Sequence, residues 1–600
     1  MLNQRNDRGR LVLMAISLMA VVWVLYGSAR NFDFVNLDDP VVVAENPMMQ
    51  QGLSSKSLQW AMKETGELNL WHPLTWVSHL AVAEFFGIQP GAHHLVGVFL
   101  HVVNILLLLM LTRKLTQSLL ISGIVAVLFA VHPQRVEAVV WISSRKELLA
   151  AMFVFLCLLA WIRSRETSRA GWMVVAWLAL VAALLSKPIA VVVPMLLPLV
   201  DGLLQARGQP VPRQKWILWP FLGAAMAVSL ITISLQQLGG HAELGEKLPL
   251  LRRLELMPVM FAHFVRQSLV PGGLKLFVPA PSEGLSTLAM AGAGVAIFAV
   301  LTAMAWRWRK DYPLGIFGLS WCLLFLLPVS GIVPVSIYLT ADRYTYLPHF
   351  GLILALSVCV NAITVHRPRL AFSTCVGAVL IAGFWSVQSH RRIQVWKDSI
   401  SLFTAETEMN SHSLLGHIHL AAAHLAKGNA AEALTSARRA VELQPSSGLA
   451  QVNLAEALRM QGNVREAICA YKAAIQCGNL RHDTAWIRLA ESLNETGDES
   501  GACATYEAAL ARPGKPSLAL LLSAADFQGF KRRDRARAIE LLEMALTIKP
   551  NSAVALRDSG LLLVESGETA SGVTRLLAYL ALNPGDRGIQ NLVAKLTANR

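Results

Sequence analysis

The sequence predicts an all-α protein in two parts, a polytopic membrane bundle followed by a solenoid of paired helices. Three observations carry that prediction. The chain of 600 residues is 54% hydrophobic and only 15% charged, more apolar than the about 45–50% of a soluble domain. Its long apolar stretches are confined to residues 11–387. Beyond residue 388 the chain turns Ala-rich, charged and periodic, with a repeat of about 34 residues. The resulting organisation is a membrane domain over 1–387 with a large external loop at 28–91, a connecting segment at 388–413 and a repeat domain over 414–600.

The first apolar run, residues 11–29, follows Arg5, Arg8 and Arg10 and is longer than the core of a cleaved leader. It reads as an uncleaved span with its N-terminus in the cytoplasm. Further spans fall near 92–112, 116–131, 147–162, 170–186, 188–204, 216–236, 286–306, 314–334, 346–364 and 369–387, which makes about eleven in all. The apolar stretch 73–87 carries His79 and Glu84 and reads better as a helix lying at the interface.

Loop charge supports this layout. Arg113 and Lys114; Arg163, Arg165 and Arg169; Arg207, Arg213 and Lys215; Arg307, Arg309 and Lys310; and Arg367 and Arg369 all fall on the predicted cytoplasmic side. The other face receives 28–91, 132–146, 237–285 and 335–345. An odd number of spans sends the repeats there too, into the periplasm of a bacterium, with the membrane part in its inner membrane, or into a lumen in a eukaryote. The net charge of +14 then reflects topology and excludes nucleic acid as the expected partner. Cys157, Cys322, Cys359, Cys375, Cys469, Cys477 and Cys503 show no CxxC or zinc spacing. A disulfide among the last three stays open, since they share one periodic region.

The repeats begin at residue 414. Leu420, Gly428, Ala433, Ala440 and Pro445 are echoed by Leu454, Gly462, Ala467 and Ala474, then by Leu489, Gly497, Ala502 and Ala509. Ala538, Ala545 and Pro550, and then Gly560, Gly567 and Pro584, anchor two later units. This is the tetratricopeptide spacing, with about five repeats, enough for a superhelix whose concave face holds extended peptide. Its Tyr471 and Tyr506 are read as packing residues.

On the external face, charges cluster at span ends in "NLDDP" (36–40), "HPQRVEAVVWISSRKE" (132–147), "LLSKP" (184–188) and "TADRYTYLP" (340–348). Charge at that depth is costly unless it is paired or faces water, so these residues are functional candidates. Ion pairs between helix ends are the plainer alternative for each of them.

Taken in order, "FVNLDDPVVVAENP", "WHPLTWVSHL", "GAHHLVGVFLHVVNILLLLML", "LFAVHPQRVEAVVWISSRKELLAAMF", "LLSKPIAVVVPMLL" and "ADRYTYLPHFGLILAL", followed by the repeats, resemble the transmembrane and tetratricopeptide repeat family of GT-C glycosyltransferases. The resemblance covers nearly the whole chain. It implies a GT-C-like membrane domain and transfer of a sugar from a polyprenyl-phosphate donor, as in animal members that are protein O-mannosyltransferases using dolichyl phosphate mannose.

That chemistry needs a base for the acceptor hydroxyl and cations for the departing phosphate. By analogy with the acidic pair in the first external loop of GT-C enzymes, Asp38 is the expected base and Asp39 its partner or substrate positioner, though the order is open to reversal. Two adjacent carboxylates also raise the proton affinity of one of them. Arg135, Arg145, Lys146, Lys187 and Arg343 supply positive charge at the membrane surface, with Lys187 and Arg343 favoured for the phosphate. His132 is a supporting hydrogen-bonding residue and Glu137 the expected partner of one of the cations. His72, His93 and His94 lack a metal-ligand pattern, and no cofactor is obligatory. A divalent cation at Asp38 and Asp39 stays open, carboxylates being hard oxygen ligands.

The leading expectation is therefore an integral-membrane glycosyltransferase acting on a protein hydroxyl on the non-cytoplasmic face, with the repeats recruiting the acceptor. A non-catalytic membrane scaffold that uses the repeats for protein–protein interaction in an envelope complex is the alternative. A transporter fits less well, because the polar groups lie at span ends and not at the bilayer midplane.

Overall fold

Helices form at each of the apolar stretches that the sequence reads as spans. The computed structural model describes residues 2–63, 71–209, 211, 215–238, 249–273, 275–278, 281, 284–308, 310–331, 340–364, 367–478 and 483–598. Parts of the expected external segments, at 64–70, 239–248 and 332–339, lie outside the described residues, as do Arg213 and Arg309 of the basic loops. The chain divides into two compact units, Met1–Ser413 and Leu414–Arg600. Among the described residues the only β pairing is an isolated antiparallel bridge between Val278 and Thr340.

In the first unit the helices are, in chain order, α1 (Leu2–Tyr26), α2 (Ser55–Lys63), α3 (Pro73–Phe86), α4 (Pro90–Thr116), α5 (Leu119–Val131), α6 (Arg135–Val140), α7 (Arg145–Thr167) and α8 (Ala170–Ser186). They continue with α9 (Val193–Ala206), α10 (Trp219–Leu238), α11 (Leu250–Leu269), α12 (Leu285–Trp308), α13 (Pro313–Leu326), α14 (Pro348–Thr364), α15 (Pro368–Val395) and α16 (Ser399–Met409).

Among the described residues, seven helical stretches are long and apolar enough to cross a bilayer: Asp7–Asn31, Pro90–Thr116, Ile142–Thr167, Pro188–Ala206, Trp216–Leu235, Leu285–Met304 and Arg369–Val395. The shorter apolar helices Leu119–Val131, Ala170–Ser186, Pro313–Val329 and Pro348–Thr364 fall on the remaining expected spans. α11 has no counterpart among the predicted spans. Arg252, Arg253, Glu255 and Arg266 interrupt its apolar run, so it forms an amphipathic helix within the segment read as an external loop.

Small residues allow a close helix–helix contact. A methyl group on Gly318 of α13 would stand 2.6 Å from the Gly351 carbonyl oxygen of α14, so the two backbones meet where neither carries a side chain. Between α5 and α7 the chain folds inward: α6 and the short turn Ile142–Ser144 are buried throughout. The loop before α2 is tied back to the end of the unit, where Asp33 N–H donates to the Lys397 carbonyl at 3.0 Å and Asn36 N–H to the Ser399 hydroxyl at 2.9 Å. Glu406 of α16 accepts from Leu276 N–H at 2.7 Å and from Ser413 at 3.0 Å.

The second unit is a run of antiparallel pairs: α17 (Leu414–Ala426) with α18 (Ala430–Leu443), α19 (Gly448–Met460) with α20 (Val464–Gln476), and α21 (Thr484–Glu495) with α22 (Glu499–Leu510). There follow α23 (Leu518–Asp526) with α24 (Arg535–Ile548), α25 (Ala553–Glu565) with α26 (Thr569–Leu582), and a closing α27 (Arg587–Ala598). The periodic alanines Ala433, Ala440, Ala467, Ala474, Ala502, Ala538 and Ala545 are all buried, which lets paired helices approach closely. Gly428 and Gly462 turn the chain between partners at φ +80° and +83°, a conformation that costs other residues strain. Tyr471 and Tyr506 lie in the core of the array. The seven cysteines of the chain are unpaired, Cys469, Cys477 and Cys503 among them.

Candidate active site

Two adjacent acids in the segment between α1 and α2 have different surroundings. Asp39 is fully buried. Its Oδ2 accepts from Val35 N–H at 3.1 Å and its Oδ1 from the backbone N–H and hydroxyl of Ser143 at 3.2 and 2.5 Å. Burial pushes its pKa up to about 6 against the opposing pull of the Ser143 and Val35 bonds, and the Asp38 charge is the smallest contribution. The raised proton affinity expected of paired acids is present, but desolvation causes it, and it falls on the anchored member. Asp38 is half-buried, and among the described residues its carboxylate has no hydrogen-bond or ion-pair partner.

Around Asp38 the fold gathers ends of elements far apart in the chain. Lys146, in the first turn of α7, interacts electrostatically with Asp38, Arg343, Lys187 and Glu147. Lys187 follows the last residue of α8 and is ion-paired with Glu147. Arg343, on the short helical turn Asp342–Thr345, is ion-paired with Glu137 of α6, and its backbone N–H also donates to that carboxylate at 3.3 Å. Burial works against the Arg343 charge, but Tyr344 and Glu137 outweigh it and hold the guanidinium firmly protonated. Aromatic rings frame these cations: Arg343 lies 5.1 Å from the Trp141 ring and 4.9 Å from that of Tyr344, and Lys187 lies 5.2 Å from Tyr344. Lys146 has no ion pair of its own among the described residues.

Asp38, Lys146, Lys187, Arg343 and Glu137 therefore come together, with Glu147 added. Arg135 and Arg145 are directed inward. The Arg135 guanidinium donates to the Thr345 hydroxyl at 2.5 Å and meets His349 Nδ1 at 2.6 Å, packed against Phe129 and Tyr346. That of Arg145 donates to the carbonyls of Ser78 and His93 at 3.2 and 3.0 Å. Both are essentially inaccessible; a loop cation looks the same in sequence whether it turns outward or into the core. His132 is buried as well, with Nε2 3.1 Å from the Ser268 carbonyl and its ring against His349 and Trp385. It forms part of the wall of an apolar groove of about 760 Å³ between α5, α14 and α15.

His72 was passed over for want of a metal pattern. Its ring is buried, and burial followed by the charges of Lys146 and Lys187 holds it neutral, with Nδ1 unpartnered. The available signal was its position: His72–Pro73 opens a helix just as His132–Pro133 closes one. Among the described residues no three His, Cys, Asp or Glu side chains converge as metal ligands. A cation at the acidic pair would find Asp38 available, because both oxygens of Asp39 are already engaged.

Fold and site together define a multi-pass, all-helical membrane protein with a cluster of acids and cations at its span ends and a tetratricopeptide solenoid at its C-terminal end. Residues 419–481 match a tetratricopeptide repeat family model. The chain is 29% identical over 189 residues to protein O-mannosyl-transferase Tmtc1 of Drosophila melanogaster, covering 31% of this chain and 22% of that protein. It is 28% identical over 157 residues to the TMTC1 protein O-mannosyl-transferase of Mus musculus, covering 24% of this chain and 16% of that one. The match thus spans about a fifth of the length of these relatives. Among solved structures, the tetratricopeptide protein YrrB aligns at 15% identity and a TM-score of 0.27, covering 32% of this chain and 97% of YrrB. The relatives and the repeat model support the resemblance to the transmembrane and tetratricopeptide repeat family.

Proposed function

We propose that the protein is a membrane glycosyltransferase that moves a sugar from a polyprenyl-phosphate donor to a hydroxyl of a protein acceptor on the non-cytoplasmic face. The observation that carries the reading is the Asp38 carboxylate, without a hydrogen-bond or ion-pair partner among the described residues, near Lys146, whose own neighbours are Lys187 and Arg343. In this scheme Asp38 takes the acceptor proton as the hydroxyl oxygen bonds to the anomeric carbon. The bond from that carbon to the phosphate oxygen breaks, and the phosphate leaves with the electron pair. Its charge meets three cations already held in place, so little reorganisation is needed at the moment of transfer. Asp39, fastened to Ser143, positions the loop. The pairs Glu137–Arg343 and Glu147–Lys187 aim the cations while keeping the site near neutrality when empty.

The repeats recruit the acceptor in this reading, and the N-terminus lies in the cytoplasm, with a bacterial inner membrane as the setting. The test uses purified protein with radiolabelled polyprenyl-phosphate mannose and an acceptor from cells. Wild type transfers label and Asp38→Asn, still inserted and folded, does not. Acceptor glycosylation that persists unchanged in cells carrying only Asp38→Asn would sink the assignment, and a wild type that never turns over donor would favour the scaffold.

A further inference from the structure

A second polar site lies on the other side of the turn that carries Arg343. Gln134, Gln267 and Asp342 line a pocket of about 150 Å³ beneath the Val278–Thr340 bridge. All three are more than nine-tenths buried. The Gln134 amide nitrogen donates to Asp342 Oδ1 at 3.1 Å, and Asp342 Oδ2 is ion-paired with Arg392 at 3.8 Å, which leaves Gln134 Oε1 and Gln267 Oε1 without partners. Unmet polar atoms in the interior are rare, and two on one pocket call for a ligand. One ordered water needs only about 10–15 Å³, so the space is roughly ten times what a single water fills.

The lining selects among ligand classes. The unmet atoms on the lining are amide oxygens and the nearest charge is the Asp342 carboxylate, which disfavours an anion. Arg266 and Lys275 stand at the wall with His263, and Arg392 lies 3.8 Å from Asp342, which disfavours a metal ion or an ammonium group. Burial, and then the charge of Glu137, raises the Asp342 pKa, which weakens its hold on a bare cation, whereas a hydroxyl can donate to the two unmet amide oxygens.

We infer that this pocket binds a polyhydroxylated ligand of sugar size, with Gln134, Gln267 and Asp342 hydrogen-bonding its hydroxyl groups. The inference stands on the pocket alone and does not depend on transfer at Asp38. The sugar could belong to a lipid donor or to a glycan on an acceptor, and both present the same chemistry to these residues.

The test uses the full chain in detergent micelles with free mannose as probe, read by saturation-transfer NMR, at the millimolar concentrations expected for about a dozen heavy atoms. Mannose should bind saturably and calcium chloride should not displace it. Gln267→Met, which keeps the volume and removes the amide, should weaken binding at least tenfold without lowering the melting temperature by more than a few degrees. Asp342→Asn gives the same reading should the first variant fail to fold. Competition by polyprenyl-phosphate mannose assigns the pocket to the donor, and competition by a mannosylated peptide assigns it to the acceptor. No saturable mannose binding to wild type, displacement by calcium, or variants that bind as wild type does would overturn the inference.

Discussion

The two units carry their charges in opposite ways. In the membrane unit, Glu137 and Glu147 are 1% and 2% exposed, and their partners Arg343 and Lys187 only 14% and 13%. In the repeat unit, Arg535 and Glu565 are 45% and 53% exposed and Arg439 and Glu442 39% and 63%. Surface pairs of the second kind contribute about 0–1 kcal/mol. Pairs of the first kind recover their desolvation cost poorly, and an apolar replacement of both partners is often as stable. Hydration alone accounts for the exposed repeat charges, whereas stability does not account for the two buried pairs of the membrane unit, which points to a task beyond folding for those two.

The contrast can be broken at its strongest point first. Asp38→Asn should cut transfer by about 10²–10⁴-fold, the usual contribution of a general base, with the far-UV spectrum and melting temperature of wild type. Glu137→Gln strands the Arg343 charge and should cost about 3–5 kcal/mol in unfolding experiments in mild detergent; a cost below about 1 kcal/mol would make the pair equivalent to a surface one. Asp39 adds a pH signature. Its folded pKa of about 6 lies above the 3.8 of the free side chain, so the native state holds its proton to higher pH than the unfolded chain does. Stability should fall by about 3 kcal/mol as pH rises from about 4 to 6 and then level off, and Asp39→Asn should remove that slope from a denaturation series.

In the repeats the sensitive positions are apolar. A side chain on Gly560 would meet Leu576 at 2.8 Å, so Gly560→Val should destabilise the chain by about 1–3 kcal/mol. Arg535→Ala should change the melting midpoint least of all, by under about 1 kcal/mol.

These differences also mark what a sequence can convey. The spans were legible because hydropathy is local, and the solenoid because Gly428, Gly462 and Gly497 recur at intervals of 34 and 35 residues. Lys187 was legible as a candidate because it directly follows an apolar run, and Asp38 and Arg343 because each lies in a short charged segment between apolar runs. The inward course of Arg135 and Arg145 was not, since it depends on partners such as Thr345 and Ser78, far away in the chain. Asp342 belongs to the charged segment "TADRYTYLP", but sequence gives it no role distinct from that of Arg343. Nothing in its neighbours signals that one residue of the turn lines a pocket and the next joins the cation cluster.

The ties from Asp33 and Asn36 to Lys397 and Ser399 bear on how the chain can be divided. Residues 388–413 read in sequence as a spacer, yet they hold the backbone on which Asp38 is mounted. A membrane fragment ending at 388 would lose Lys397, Ser399 and Glu406 together, while one ending after Ser413 would keep them. A biochemist dissecting this protein should cut at the later position, and should not take inactivity of the shorter piece as proof that catalysis requires the repeats.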